Sequence, residues 1–160
     1  MPSRVYAVRE AAVVWTPTTT PAFDVRSLAN NAGRVGARHQ IAPAQAAERY
    51  LWRCKLSLAA AAAIGTTAAI YLVTSDGTDA DANLGTGDAA LPSLDRTRNL
   101  QWIGTLVADA ATVGPFKGSG VIEIVAPYVQ PVIVNTMGQA FSATGTDHNF
   151  SLTPIAMEIQ

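Results

Sequence analysis

YLWRCKLSL, residues 50–58, decides the fold. Trp52, Cys54, Leu56 and Leu58 fall on one side of a period-two repeat, and Arg53, Lys55 and Ser57 fall on the other. That alternation gives a strand one buried and one wet face. Ala68–Thr74 repeats it, with Ile70 and Leu72 opposed to Tyr71 and Val73, and closes on the turn-forming Ser75-Asp76-Gly77. The two segments are read as an antiparallel pair.

Between them lies LSLAAAAAIGTTAAIYLV, residues 56–73, which carries no charge and is long enough to be weighed as a membrane span. Its composition argues against spanning, since alanine with a central Gly65-Thr66-Thr67 supplies little of the transfer energy of Leu and Ile. Strand, turn and strand explains the same residues, and no membrane partner is expected.

Downstream, SDGTDADANLGTGDAALPSLDRTRN (75–99) is rich in Gly and Asp and reads as a long loop, with a short helix possible over Leu91–Arg98 capped by Ser93. Then follow Leu100–Asp109, Gly118–Val125, Tyr128–Thr136 and Phe150–Ile159, each short, apolar and bounded by Gly, Pro or Asp. Strands so spaced, without helical crossovers of a dozen residues, predict an all-β antiparallel β-sandwich or jelly roll rather than βαβ units. Pro127 and Pro131 predict an unpaired edge at the start of the penultimate strand.

Upstream, residues 1–47 hold few large apolar groups and many loop signals: TPTTTP at 16–21, Asn30-Asn31, Gly33, Gly36 and Pro43. Short extended pieces are expected at Ala12–Trp15 and Ala37–Ile41. Two readings stand: an extended N-terminal arm that needs something to lie on, or early strands of the same sandwich. Residues 48–160 are the sandwich itself, with its loop at 75–99. A chain of 160 residues can bury about 70% of its unfolded surface, so one such domain needs no disulfide or metal to hold it.

Charge is unevenly placed. Residues 1–55 carry eight cations against three anions, a net of +5, whereas the rest carries three against nine, a net of −6. Such a split suits a molecule lying between unlike surfaces or repeating head to tail. The cations Arg4, Arg9, Arg26, Arg34 and Arg38, with Trp15, are the candidate partner-contact residues. They are too dispersed for a nucleic-acid footprint, and no recognisable nucleic-acid fold accompanies them. The N-terminal MPSRVYAVRE has no apolar signal core, so assembly in the cytoplasm of whatever cell makes the chain is expected.

Chemistry is sought and each candidate fails on a named position. Asp79-x-Asp81-x-Asn83, near Asp76 and Asp88, opens like a calcium loop, but Leu84 stands where glycine is needed and Ala90 where the bidentate Glu belongs. His39 and His148 are the only histidines, Asp147 is too close in sequence to His148 to complete a triad, and no G-x-S-x-G elbow occurs. Phosphate loops are absent, and GPFKGSG (114–120) is a poor substitute. Cys54, the sole cysteine, alternates with apolar neighbours and reads as a buried small side chain. No enzyme, cofactor or metal is expected, and the aromatics Trp15, Trp52, Trp102, Tyr50, Tyr71 and Tyr128 serve as core or as interface anchors.

The runs IYLVTSDGTDADANLGTGDAAL (70–91), RNLQWIGTLVADAA (98–111) and GVIEIVAPYVQPVIVNTMGQAFSATGTDHNFSLTPIAMEIQ (120–160) resemble small virion structural proteins of tailed bacteriophages. The likeness covers about the last two-thirds of the chain and carries no mechanistic signature residue. It implies a jelly-roll or related sandwich on a phage particle, with a capsid decoration or cement role. The implied partners are the major capsid protein or other virion proteins, together with copies of itself, a trimer among the arrangements, and the implied location is the virion. A tail, neck or fibre-base component, or a carbohydrate-binding sandwich, is the alternative.

Overall fold

The computed structural model describes residues 5–9, 11–42 and 47–159, and it is all-β. Its strands are β1 (Val5–Arg9), β2 (Val13–Trp15), β3 (Ala32–Val35), β4 (His39–Gln40), β5 (Arg49–Leu56), β6 (Thr67–Ser75), β7 (Ala89–Ala90), β8 (Gln101–Val107), β9 (Phe116–Glu123), β10 (Tyr128–Thr136) and β11 (Asn149–Ile159). One sheet runs β1-β11-β5-β9, with β2 continuing the β1 edge along β11. The other runs β7-β3-β10-β6-β8, with β4 continuing β3 along β10. Every strand pair is antiparallel.

Taking β1 with β2, and β3 with β4, as interrupted single strands, successive strands change sheet at every link except β6 to β7 and β7 to β8, where the short β7 sits at the far edge of the same sheet. That is the connectivity of a jelly roll. The period-two reading of the opening stretch holds: Tyr50, Trp52, Cys54 and Leu56 point into the space between the sheets, where they meet Ile70, Leu72, Ile133 and Phe150. The uncharged run 56–73 is the end of β5, a link, and the start of β6, with the turn at Gly65 taking φ +86. No helix among the described residues is long and apolar enough to cross a membrane.

Three expectations are decided or corrected. Of the two readings open for residues 11–42, early strands of the same sandwich hold and a free arm does not. These residues supply β2, β3 and β4 and bury Trp15, Phe23 and Val25, because the apolar groups that looked sparse in sequence are placed at the few positions facing the core. The stretch 75–99 is more than a loop. Its Leu84 and Leu91, with Leu100 immediately after it, close over Val35, Val73, Val132 and Val134 on the outer face of the second sheet, making a second core. Its 3₁₀ turn, Leu94–Asn99, does begin on Ser93, whose hydroxyl accepts from the Asp95 amide.

The third correction concerns proline. β10 is the centre of its sheet, paired to β6 on one side and to β3 and β4 on the other. The carbonyl of Pro131 accepts the amide of Gly36, so its missing N–H faces the same side, where the neighbouring strand breaks between Val35 and His39. Gln130, almost fully buried, donates from Nε2 to the Gly36 carbonyl at 3.0 Å, replacing the donor that Pro131 lacks.

Candidate functional site

The edge strands β8 and β9 belong to opposite sheets and come together along one side of the sandwich. Trp52 fills the space beneath them. Glycine occupies the positions over its ring: a Cβ built on Gly104 would stand 2.5 Å from Trp52 Cζ2, and one on Gly120 would stand 2.7 Å from Nε1. On Gly118 it would meet Leu106 at 2.5 Å. The strands therefore close the seam only because these positions carry no side chain.

Larger groups on β8 and β9 are left on the outside. The register of β6 with β8 jumps between Ile70↔Gly104 and Tyr71↔Trp102, a bulge that leaves Ile103 unpaired and turns Trp102 outward. Trp102 is 60% exposed, beside Val121 at 59%. Its indole Nε1 donates to Thr105 Oγ1 at 3.3 Å. A groove of about 460 Å³ runs here, lined by Arg49, Gln101, Trp102, Ile103, Val121 and Glu123. Arg49 and Glu123 form a 3.6 Å ion pair that is largely in water and contributes little to stability.

The residues expected from sequence to meet a partner are not gathered into one surface. Trp15 is wholly buried: Nε1 donates to the Ala37 carbonyl at 2.9 Å, and the ring packs 5.7 Å from those of His39 and Phe150. It is a core residue. Arg26 grips Asp24 through Nε and Nη2, each at 2.7 Å, and that hydrogen-bonded pairing holds the Asp24 carboxyl below its usual range. Arg34 binds Asp88 at 2.7 Å, and the same carboxylate accepts the Asp24 amide at 3.0 Å. Arg38 donates to the Gly77 carbonyl at 3.2 Å and lies 4.7 Å from the Tyr128 ring centroid. Arg34 and Arg38 thus tie the 75–99 segment to the sandwich. Arg4 lies outside the described residues, and of Arg9 only the backbone, in β1, is described.

The acidic stretch is likewise committed. Asp81 accepts from the amide and hydroxyl of Thr74 at 2.9 and 2.6 Å, and Asp76 accepts from the Asp79 and Thr78 amides, which holds its carboxyl low. Among the described residues no three His, Cys, Asp or Glu side chains gather as a metal site. Burial pushes the Cys54 thiol up to about 12, so the thiolate a nucleophile requires is not accessible near neutrality.

His148 is buried and its Nε2 faces the Ser142 carbonyl at 2.9 Å. A carbonyl only accepts, so Nε2 carries the proton and is not available as a base toward the Ser142 hydroxyl, which donates to Asp147 instead. Burial holds His148 below the ordinary 6.5. The unfolded chain therefore takes up the proton first as pH falls. The stability His148 supports is full well above 6.5 and falls as pH drops toward the lowered folded value, with a slope bounded by about 1.4 kcal/mol per unit for one proton. Urea denaturation between pH 8 and 5 should show this slope, and His148→Gln should flatten it; equal slopes would contradict the assignment.

The groove itself was only half visible in sequence. Trp102 reads equally as core or anchor, and what settles it is the company of Gly104, Gly118 and Gly120 around Trp52, a relation between three strands.

No protein-family model matches the chain, and no curated protein matches it. Among solved structures, the C-terminal domain of EclA, described as a sugar-binding protein, is similar over 97% of this chain and 82% of that one, at 15% identity and a TM-score of 0.30. A likeness of that size carries no argument for this chain.

Proposed function

We propose that this chain is a virion structural protein of a tailed bacteriophage, with a capsid decoration or cement role that stabilises the shell, and that it is not an enzyme. The observation that carries the reading is the β8–β9 seam, where Trp102, Val107 and Val121 stand more than half exposed on two edge strands, each hydrogen-bonded within its own sheet. Large apolar groups on a rigid, hydrogen-bonded surface favour association with another protein. The chemistry-bearing residues support the same reading, since His148, Cys54 and Asp81 are each committed to holding the fold. The resemblance of residues 70–91, 98–111 and 120–160 to phage structural proteins supplies the setting.

A decoration protein is present on purified particles in copies near those of the major capsid protein. Quantitative mass spectrometry is expected to find that ratio. A few copies per particle would instead indicate a tail, neck or fibre-base part. One feature favours a second reading: an exposed indole with Arg49, Gln101 and Glu123 around it is also the chemistry of a sugar platform. A glycan-array signal that disappears in Trp102→Ala would establish that reading in place of the first.

A further inference from the structure

We propose that Arg53, Lys55 and Lys117, with Ser119 and Asn149, form a binding site for a phosphate-type oxyanion on the outer face of the four-strand path β1-β11-β5-β9. This goes beyond the assembly role and does not depend on it. The alternation that buries Trp52, Cys54 and Leu56 sends Arg53 and Lys55 outward on β5, and the burial of Phe116 does the same for Lys117 and Ser119 on β9. The register then sets Lys55 directly opposite Lys117 and Arg53 opposite Ser119. On the other side of β5, Asn149 of β11 lies opposite Lys55. All five line one depression of about 430 Å³.

Two lysines directly opposite on one face repel each other. The same ladder shows the neutral solution a few residues away, where Arg49 faces Glu123. Among the described residues none of Arg53, Lys55 and Lys117 makes an ion pair, and Lys55 Nζ donates only to the neutral Thr146 carbonyl, at 2.7 Å. The repulsion is relieved by an anion placed between the three. Neighbouring strands are about 5 Å apart and a two-residue step is about 7 Å, so the cations form a triangle that long side chains can close onto separate oxygens of one tetrahedral oxyanion. The Ser119 hydroxyl and Asn149 amide can donate to the oxygens that remain. A carboxylate, with two oxygens, uses this donor set less fully. The same chemistry can arrive as free phosphate, as a terminal phosphate ester or as a diester.

The test is an amide chemical-shift titration of the full chain with inorganic phosphate, at ionic strength held constant with sodium chloride. Saturable shifts at Arg53, Lys55, Lys117, Ser119 and Asn149 are expected. Lys117→Ala should weaken binding about fivefold, the upper range for an exposed ion pair, while Lys117→Arg holds it within about twofold. Without phosphate, Lys117→Ala should not lower the melting temperature, because it removes a like-charge contact. Dimethyl phosphate run in parallel separates the sources: binding as tight as inorganic phosphate points to a diester, and weaker binding to a free or terminal phosphate. Shifts scattered over the surface, no saturation, or equal binding by Lys117→Ala would overturn the proposal.

Discussion

Trp15→Ala should destabilise the protein by about 3–5 kcal/mol, a large share of the stability of a domain of this size. Trp15 lies in a segment that could be taken for a dispensable arm, yet it has no accessible surface. It closes the end of the core against Phe150, to which it is joined by register across β2 and β11. Truncation would leave a cavity and would also orphan the Ala37 carbonyl that the indole satisfies at 2.9 Å. Trp15→Phe should recover most of the packing and none of that hydrogen bond, so its loss should be smaller. Chemical denaturation with an unchanged m-value checks both. A loss under about 1 kcal/mol for Trp15→Ala would restore the arm reading, since surface substitutions stay within that range.

Gly104→Val comes second in expected size. The site tolerates no side chain, because a Cβ there falls 2.5 Å from Cζ2 and 2.7 Å from Cη2 of Trp52. The indole cannot retreat, since Gly118 and Gly120 already bring β9 against it from the other side. Overpacking of this kind typically costs about 1–3 kcal/mol, and valine should reach or pass the upper figure. The mechanism makes a sharper claim than the magnitude. Trp52→Leu makes room, so the double variant Trp52→Leu/Gly104→Val should be more stable than the two separate losses add up to. Strict additivity would show that the seam is not closed by this contact.

Much of the sandwich was legible because its logic is local. The period-two pattern of 50–58 and 68–74 states which side chains face the space between the sheets, and Tyr50, Trp52, Cys54, Leu56, Ile70 and Leu72 do so; Val73 on the opposite face is buried too, beneath the 75–99 segment, which the pattern did not announce. The capping serine Ser93 could be read for the same reason, its partner Asp95 being two residues away. What could not be read depends on distant pieces of chain. β3 is recognisable as a strand only once it lies beside β10, since Ala32–Val35 is too short to show a period. Pro131 suggested an edge because a proline cannot complete a ladder, and no local signal announces that Gln130 supplies the missing donor to Gly36, 94 residues away in sequence. Residues 129–135 of β10 are buried without a break, the pattern of a strand covered on both faces, here by the sheet opposite and by the 75–99 segment.

The same distinction holds for function. The dispersed arginines drew attention by composition, and the fold assigns Arg34 and Arg38 to anchoring the 75–99 segment. The surfaces that remain, the Trp102 seam and the Lys55–Lys117 pair, are both created by register between strands rather than by any motif.

The central claim, that this sandwich joins a phage particle through the β8–β9 seam, is tested most directly by counting. Particles assembled in the presence of the wild-type chain or of Trp102→Ser are purified, and copies of each chain per major capsid subunit are measured by quantitative mass spectrometry. Trp102 is exposed, so the serine variant should fold with little change in stability. Wild-type copies near those of the capsid protein, with at least a tenfold drop for Trp102→Ser, are the result predicted, a factor of ten being about 1.4 kcal/mol of binding. Wild-type copies numbering only a few per particle, or a variant retained as fully as the wild type, would contradict it.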